Sequence, residues 1–308
     1  MGLRAVLASL PRGYEAVRGR RGILAVERSC RAALERGGFS VDGDERLVPS
    51  DLVGRGPLEE IRGEERYVVR RFHHGGALRI LGEQLFLRPS RPFRELVLAA
   101  RLRETGIATP EVVAARARRS WIVGWKLALV TRRVDDAPDG ARWLEAFTRG
   151  ERSASERARF FVRTGELVGR LHAAGFLHTD LTARNLIARS DLSTVWVLDL
   201  DGGRFGGALG VDARRDNLRR LYRWVRRRAG RGRFALTRGD YLRFLVAYRA
   251  ALPAAEAPWR ADWTAIVERD RARSALHRFG WWLEDLLGGG PETRDGSSAP
   301  AAGIPPRS

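Results

Sequence analysis

Three short apolar runs mark the first half of the chain: GILAVE from Gly22, RYVVRRF from Arg66 and WKLALVTRRV from Trp125, set among Gly, Asp and Pro. Runs of this length, ended by turn-forming residues, predict strands. One stretch between Gly22 and Val134 has a different period. In PFRELVLAARLRETG, Phe93, Leu96, Val97 and Ala100 recur at i, i+3, i+4 and i+7, which predicts a helix that Gly106 brings to an end. Glu95 lies beside that stripe, one and two turns before Leu98 and Leu102, where it can point inward at the edge of the buried face.

From about Ser153 the period becomes helical. Ser153 followed by Glu156 matches a capping box. The helix after it carries Phe161, Val168 and Leu171 on one side with Phe160, Thr164 and Leu167 beside them, and Gly175 supplies the stop. A polar loop, LHTDLTARN at 177–185, follows. Two short apolar runs, NLIA and TVWVLD, then flank Arg189-Ser190-Asp191 and predict a hairpin. Its first strand begins where its second finishes, so the hairpin brings Asn185 and Asp199 together.

Past Asp212 the pattern stays helical to about Leu287. In DNLRRLYRWVRRR, Leu218, Leu221, Tyr222 and Val225 form an apolar stripe, with Arg219, Arg220, Arg223, Arg226, Arg227 and Arg228 read as a solvated face. The last stretch, GGGPETRDGSSAPAAGIPPRS, has the composition of a disordered tail. The predicted organisation is a strand-rich lobe over 1–134, a helical lobe over 135–287 and a tail over 288–308.

Composition narrows the function. Lysine and arginine number 56, Lys126 is the only lysine, and the formal charge is +19, which favours anionic partners: phosphate ligands, an acidic membrane face or nucleic acid. Cys30 is the only cysteine, which excludes an intramolecular disulfide and a cysteine zinc cluster and suits a reducing compartment. The first residues hold only a short mixed apolar run that Pro11 ends, a poor signal peptide, and no stretch reaches the roughly 18 apolar residues of a membrane helix. A soluble cytoplasmic protein is the expectation.

The loop and the hairpin suggest the chemistry. Phosphoryl transfer needs a carboxylate near the attacking hydroxyl, oxygen ligands for magnesium and positive charge on the nucleotide phosphates. Asp180 suits the first role, and Asn185 and Asp199 the second. For the third, with Lys126 far downstream, the candidates are Arg70, which shares a strand face with Val68 and Phe72, and Arg71, which shares one with Tyr67 and Val69. Arg70 paired with Glu95 is the favoured choice. In GRGPLEEI, Gly54 and Gly56 could form a phosphate-covering loop or an ordinary turn. His178 is read as a structural residue of the loop, Asp201 as either a second metal ligand or a polar strand end. His73 and His74 point to opposite faces of a strand and cannot share a metal.

HTDLTARN, followed nineteen residues after Asp180 by DLD, resembles the catalytic loop and metal-binding motif of the protein-kinase-like fold. That resemblance implies an α+β, bilobal architecture with a strand-rich N-lobe and a mainly helical C-lobe. No APE anchor follows Asp199, and the segment before the next helix is short, which favours a small or lipid-linked acceptor over a peptide. A longer resemblance runs through GYEAVRG, GRGPL, YVVRRFHHGG, RPFRE, TGIATPEVVAAR, LHTDLTARN, VWVLDLD and DNLRRLYR, over roughly residues 10 to 250. These segments are similar to the Kdo kinases and related heptose kinases of the lipopolysaccharide core. What the resemblance implies is ATP- and magnesium-dependent phosphorylation of a Kdo or heptose hydroxyl in the inner core, by an enzyme peripheral on the cytoplasmic face of the inner membrane and without a nucleic-acid partner. A small-molecule kinase of the aminoglycoside or choline type, a tyrosine-kinase-like enzyme (Arg184 stands where those carry arginine) and a non-catalytic basic binding protein are the competing readings.

Overall fold

The computed structural model describes residues 2–43, 47–52, 58–73, 86–121, 124–253 and 260–270. Met1–Ile266 form one compact unit, and the described part of the remainder, 267–270, is helical. Gly54, Gly56 and His74 lie outside the described residues, as does the predicted helical stretch beyond 270 and the tail.

Among the described residues seven antiparallel strands build the N-terminal lobe: β1 (Tyr14–Arg18), β2 (Gly22–Glu27), β3 (Val48–Pro49), β4 (Leu58–Ile61), β5 (Tyr67–Arg71), β6 (Val112–Arg119) and β7 (Trp125–Arg132). Their order across the sheet is β1-β2-β6-β7-β5-β4-β3. Both faces are covered, which is why β2 reads as a continuous apolar run. Ile23 and Ala25 face one side with Phe72, Phe93 and Leu96, whereas Leu24 and Val26 face the other with Cys30, Leu34, Tyr67 and Val69. The helices on these faces are α3 (Arg91–Glu104) on the first and α2 (Arg28–Arg36) on the second. A short α1 (Leu3–Ala8) also packs near α3.

Two details depart from the sequence pattern. The strand-rich stretch after Gly22 contains α2 as well as α3; its buried pair, Cys30 and Leu34, lies four residues apart and is too sparse to stand out. On α3 the buried side chains are Pro92, Phe93, Glu95, Leu96, Ala99 and Leu102, so the inward face is rotated from the predicted Val97 and Ala100, which are half-buried. That rotation carries Glu95 fully inside, at 4% exposure.

The C-terminal lobe is helical: α4 (Gly140–Thr148), α5 (Ala154–Ala173), α6 (Val211–Ala229), α7 (Arg238–Ala250) and helical residues 260–266. The capping box at Ser153 and Glu156 is formed, and Gly175 takes the left-handed conformation just past the end of α5, at φ +76°. Gly165 and Gly169 let α7 approach closely, since a Cβ at either would run into the α7 backbone at Phe244 O or Tyr248 O. Arg219 differs from the solvated-face reading of α6: it is only 6% exposed and pairs with Asp216 at 3.6 Å.

Four short strands set between the lobes' main elements fix the loops of interest. β8 (Phe176–Leu177) pairs with β11 (Arg204–Phe205), and β9 (Leu186–Ala188) pairs with β10 (Val195–Val197). The 178–185 loop leaves β8 and enters β9, while the 198–203 loop leaves β10 and enters β11. Both are therefore anchored at each end by the same two small sheets.

Candidate active site

The predicted hairpin is present, with Val197 opposite Leu186. Just beyond the ladder, Leu198 N donates to Asn185 O at 2.8 Å, so Asn185 and the start of the Asp199 loop are adjacent. Asn185 ends a single 3-10 turn, Ala183–Asn185. Its Nδ2 donates to Asp180 O at 2.7 Å and lies 3.3 Å from Asp180 Oδ2. With the amide nitrogen committed to the loop, Oδ1 is the atom Asn185 has to offer a hard cation.

Asp199 sits at φ +55°, a left-handed conformation that costs a non-glycine residue about 1 kcal/mol. Its Oδ1 accepts from Arg70 Nη1 at 2.9 Å, and the same guanidinium grips Glu95 through Nη2 at 2.6 and 2.5 Å. Strand alternation explains this reach: Arg70 shares its face with Phe72, which packs with Phe93 and Leu96 of α3, and Arg70 also lies over the Phe72 ring at 4.7 Å. Arg71 points the other way and pairs with Glu59 at 2.6 Å. Burial pushes the Glu95 carboxyl up to about 7; Arg70 opposes that rise, and Asp199 and Asp201 add to it.

His178 is 0% exposed and holds both loops. Asp180 N donates to its Nδ1 at 3.1 Å, which fixes the proton on Nε2, and Nε2 donates to Leu198 O at 2.8 Å. The structural reading of His178 thus matches its contacts. Asp201 pairs with Arg91 at the start of α3, through Nε at 2.6 Å, and its backbone O accepts from Thr179 Oγ1 at 2.9 Å. Asp201 is therefore engaged by α3.

A second group, absent from the predicted set, backs the loop. Asn217 Nδ2 donates to His178 O at 2.7 Å, so Asn217 Oδ1 accepts from His172 Nε2 at 3.0 Å. His172 Nδ1 then accepts from Tyr248 Oη at 3.0 Å. Burial lowers the His172 pKa to about 4, keeping the ring neutral as this pattern requires. The sequence signal for these residues was weak: each sits on a different helix, with no motif linking them. Arg91 stands in the RPFRE segment and Asn217 in DNLRRLYR, but neither segment indicates its distant partner.

The apolar cavity between α5, α6 and α7 is lined by Phe160, Phe161, Leu221, Tyr222, Tyr241 and Phe244, and none of the described residues that line it is a carboxylate. It touches Ala183 and Leu186, behind the 178–185 loop. Among the described residues no group of three or more His, Cys, Asp or Glu gathers as a metal site. Two protein oxygen ligands plus phosphate and water is, however, a common arrangement for magnesium, and the Asn185 and Asp199 donor set fits it.

A two-lobed fold with an Asp-Asn loop, an apposed hairpin Asp and a cation-carboxylate pair reaching from sheet to helix defines a kinase of the protein-kinase-like fold. Residues 55–248 match the lipopolysaccharide kinase (Kdo/WaaP) family, and the chain belongs to that family. Relatives include a 3-deoxy-D-manno-octulosonic acid kinase of Actinobacillus succinogenes, 28% identical over 187 residues, covering 59% of this chain and 74% of that one. The corresponding kinase of Haemophilus influenzae is 27% identical over 215 residues, covering 66% and 85%. Among solved structures, WaaP in complex with acyl carrier protein has a similar fold, with a TM-score of 0.50, 21% identity and coverage of 82% of this chain and 98% of that one. The protein is a phosphotransferase, and its family uses ATP. No described helix is long and apolar enough to cross a membrane.

Proposed function

We propose that the protein transfers the γ-phosphate of ATP to a sugar hydroxyl of the lipopolysaccharide inner core, with Kdo as the acceptor sugar. The observation that carries this reading is the convergence of Asp180, Asn185 and Asp199 on two loops locked by one buried histidine, in a chain whose relatives are named Kdo kinases. Asp180 accepts the proton of the attacking hydroxyl. Asn185 and Asp199 hold magnesium through oxygen, and that ion, when bound, neutralises charge on the transferred phosphoryl group. Arg70, braced by Glu95, contributes the fixed positive charge that a strand lysine supplies in protein kinases. Gly54 and Gly56 are assigned to the phosphate-covering loop on sequence grounds alone.

Acidic groups of the acceptor meet a basic surface beside the loop. Arg184, exposed between Asp180 and Asn185, repels Arg228 at the end of α6, whose pKa is lowered by burial and then by Arg184, Arg233 and Arg231. Such a field favours a carboxylate or phosphate on the incoming substrate. The enzyme acts at the cytoplasmic face of the inner membrane, where a lipid-linked acceptor is available. Incubation with ATP and magnesium is expected to label a Kdo-bearing lipid A precursor and leave lipid A lacking Kdo unlabelled. Labelling of the Kdo-free lipid, or only of a heptose-bearing acceptor, would reject Kdo as the acceptor.

A further inference from the structure

At one end of the N-terminal sheet three chain segments lie side by side. The β1–β2 turn and the β6–β7 turn are joined by Arg119 N donating to Arg21 O at 2.7 Å, with Gly22 opposite Arg118. On the other flank of β7, Phe86 exchanges hydrogen bonds with Trp125 at 2.9 and 2.8 Å, which seats Leu87 and Arg88 at the same end. Trp121 and Leu87 are each 84% exposed, whereas the next most exposed large hydrophobic among the described residues, Val246, is at 45%. Around them Arg18, Arg20, Arg21, Arg88 and Arg119 are exposed, and Arg118 and Lys126 are half-buried. Among the described residues Asp42 is the acid that meets this group, and it is taken up by structure: its carboxylate accepts from Arg20 N and Arg21 N at 2.9 Å each, and its backbone O from Arg118. Arg21 stacks on the Trp121 ring at 3.3 Å and still leaves it open to solvent.

We infer that this end of the sheet, with Trp121 and Leu87 inserted and the surrounding arginines on the headgroups, is the surface by which the protein docks on an anionic phospholipid bilayer. Indole favours the bilayer interface, leucine the acyl boundary, and arginine the anionic headgroup, so hydrophobic and electrostatic attraction act together, as stable peripheral binding requires. A nucleic-acid backbone would use the arginines and gain little from an exposed leucine. The position also serves transfer. Arg91, three residues past Arg88, pairs with Asp201, and β7 carries both Lys126 and, three residues on, Leu129, the partner of Arg70. Docking there brings the lipid surface to the flank of the sheet and α3 that leads to the candidate site. This inference rests on the lipid-linked acceptor proposed above for its purpose, not for its test.

The test is cosedimentation of the purified chain with vesicles of phosphatidylcholine, with or without phosphatidylglycerol, containing no sugar acceptor and no ATP. The native chain is expected to bind the phosphatidylglycerol vesicles and to be released by salt. Leu87→Ser with Trp121→Ser, and separately Arg20→Glu with Arg119→Glu, are each expected to weaken binding about tenfold or more while melting at the native temperature. Both variants should phosphorylate detergent-dispersed acceptor at the native rate. A native chain that stays in solution with these vesicles, folded variants that bind like native, or binding of duplex DNA in place of vesicles would overturn the inference. Because no acceptor is present, failure of the sugar-kinase reading leaves the vesicle result unaffected.

Discussion

Arg70 and Asp199, 129 positions apart in the chain, are joined by a 2.9 Å hydrogen bond, and the same guanidinium holds Glu95 on α3. The position of the helix, the sheet and the Asp199 loop are thus coupled through one planar, always charged group. Lysine has neither the fork nor the width to make these contacts together. Arg70→Lys is expected to stay folded and to lose transfer activity by about tenfold or more, because two of the three contacts go unmade. Steady-state kinetics check this, and native kcat in the variant would show that the fork is dispensable.

Removing the cation altogether has a different consequence. Arg70→Ala leaves Glu95, 4% exposed, without its partner, which should cost about 3 kcal/mol in urea unfolding. Adding Glu95→Gln to Arg70→Ala should recover a large part of that loss, since burial alone drives the Glu95 carboxyl to take up a proton and Gln is neutral without one. A double variant no more stable than Arg70→Ala would show that the cost comes from lost packing.

Asn217 ties the backbone of His178 to His172. Asn217→Ala removes the donor to His178 O and leaves the His172 N–H buried without an acceptor, at a cost of about 2–3 kcal/mol. Because the proposed base, Asp180, is two residues from His178, kcat should fall about tenfold with the KM for ATP little changed. A rise in KM with unchanged kcat would assign Asn217 to nucleotide binding instead.

His172 also gives the fold a pH dependence. Its pKa falls from 6.5 to about 4 on burial, so the unfolded chain binds the proton more tightly. The stabilisation is complete above about pH 6.5 and is lost as pH falls towards 4, by about 3 kcal/mol in all. His172→Gln should flatten the stability profile over this window. Parallel profiles for the two proteins would show that another group titrates.

The seat of α7 on α5 depends on absent side chains. At Gly169 an added Cβ meets Tyr248 O and the Ala251 side chain, so Gly169→Ala should push the helices apart and cost about 1–3 kcal/mol. Tyr248 bonds His172, so the shift should also lower activity. Native melting and kcat in this variant would mean that α7 moves without strain.

Local patterns carried the elements and part of the site. The strand runs, the Ser153 cap and the hairpin each depend on neighbours in sequence, and alternation along β5 separated Arg70 from Arg71. The inward face of α3 was misphased because Ala99 carries little hydrophobic signal and buried Glu95 counts against it. Contacts between distant positions left no pattern to read. Arg91 reaches Asp201 across 110 positions, and His172 reaches Asn217 across 45, each between elements whose packing only the fold determines.

Mass spectrometry of a Kdo-bearing lipid A precursor, after incubation with ATP, magnesium and either the native chain or Asp180→Ala, tests the central claim most directly. The native chain should add one phosphate to the Kdo residue. The Asp180→Ala variant, with its melting temperature and ATP binding retained, should add none. Equal phosphorylation by both proteins would contradict the assignment of Asp180, and no phosphorylation by a native chain that binds ATP would contradict the proposed acceptor.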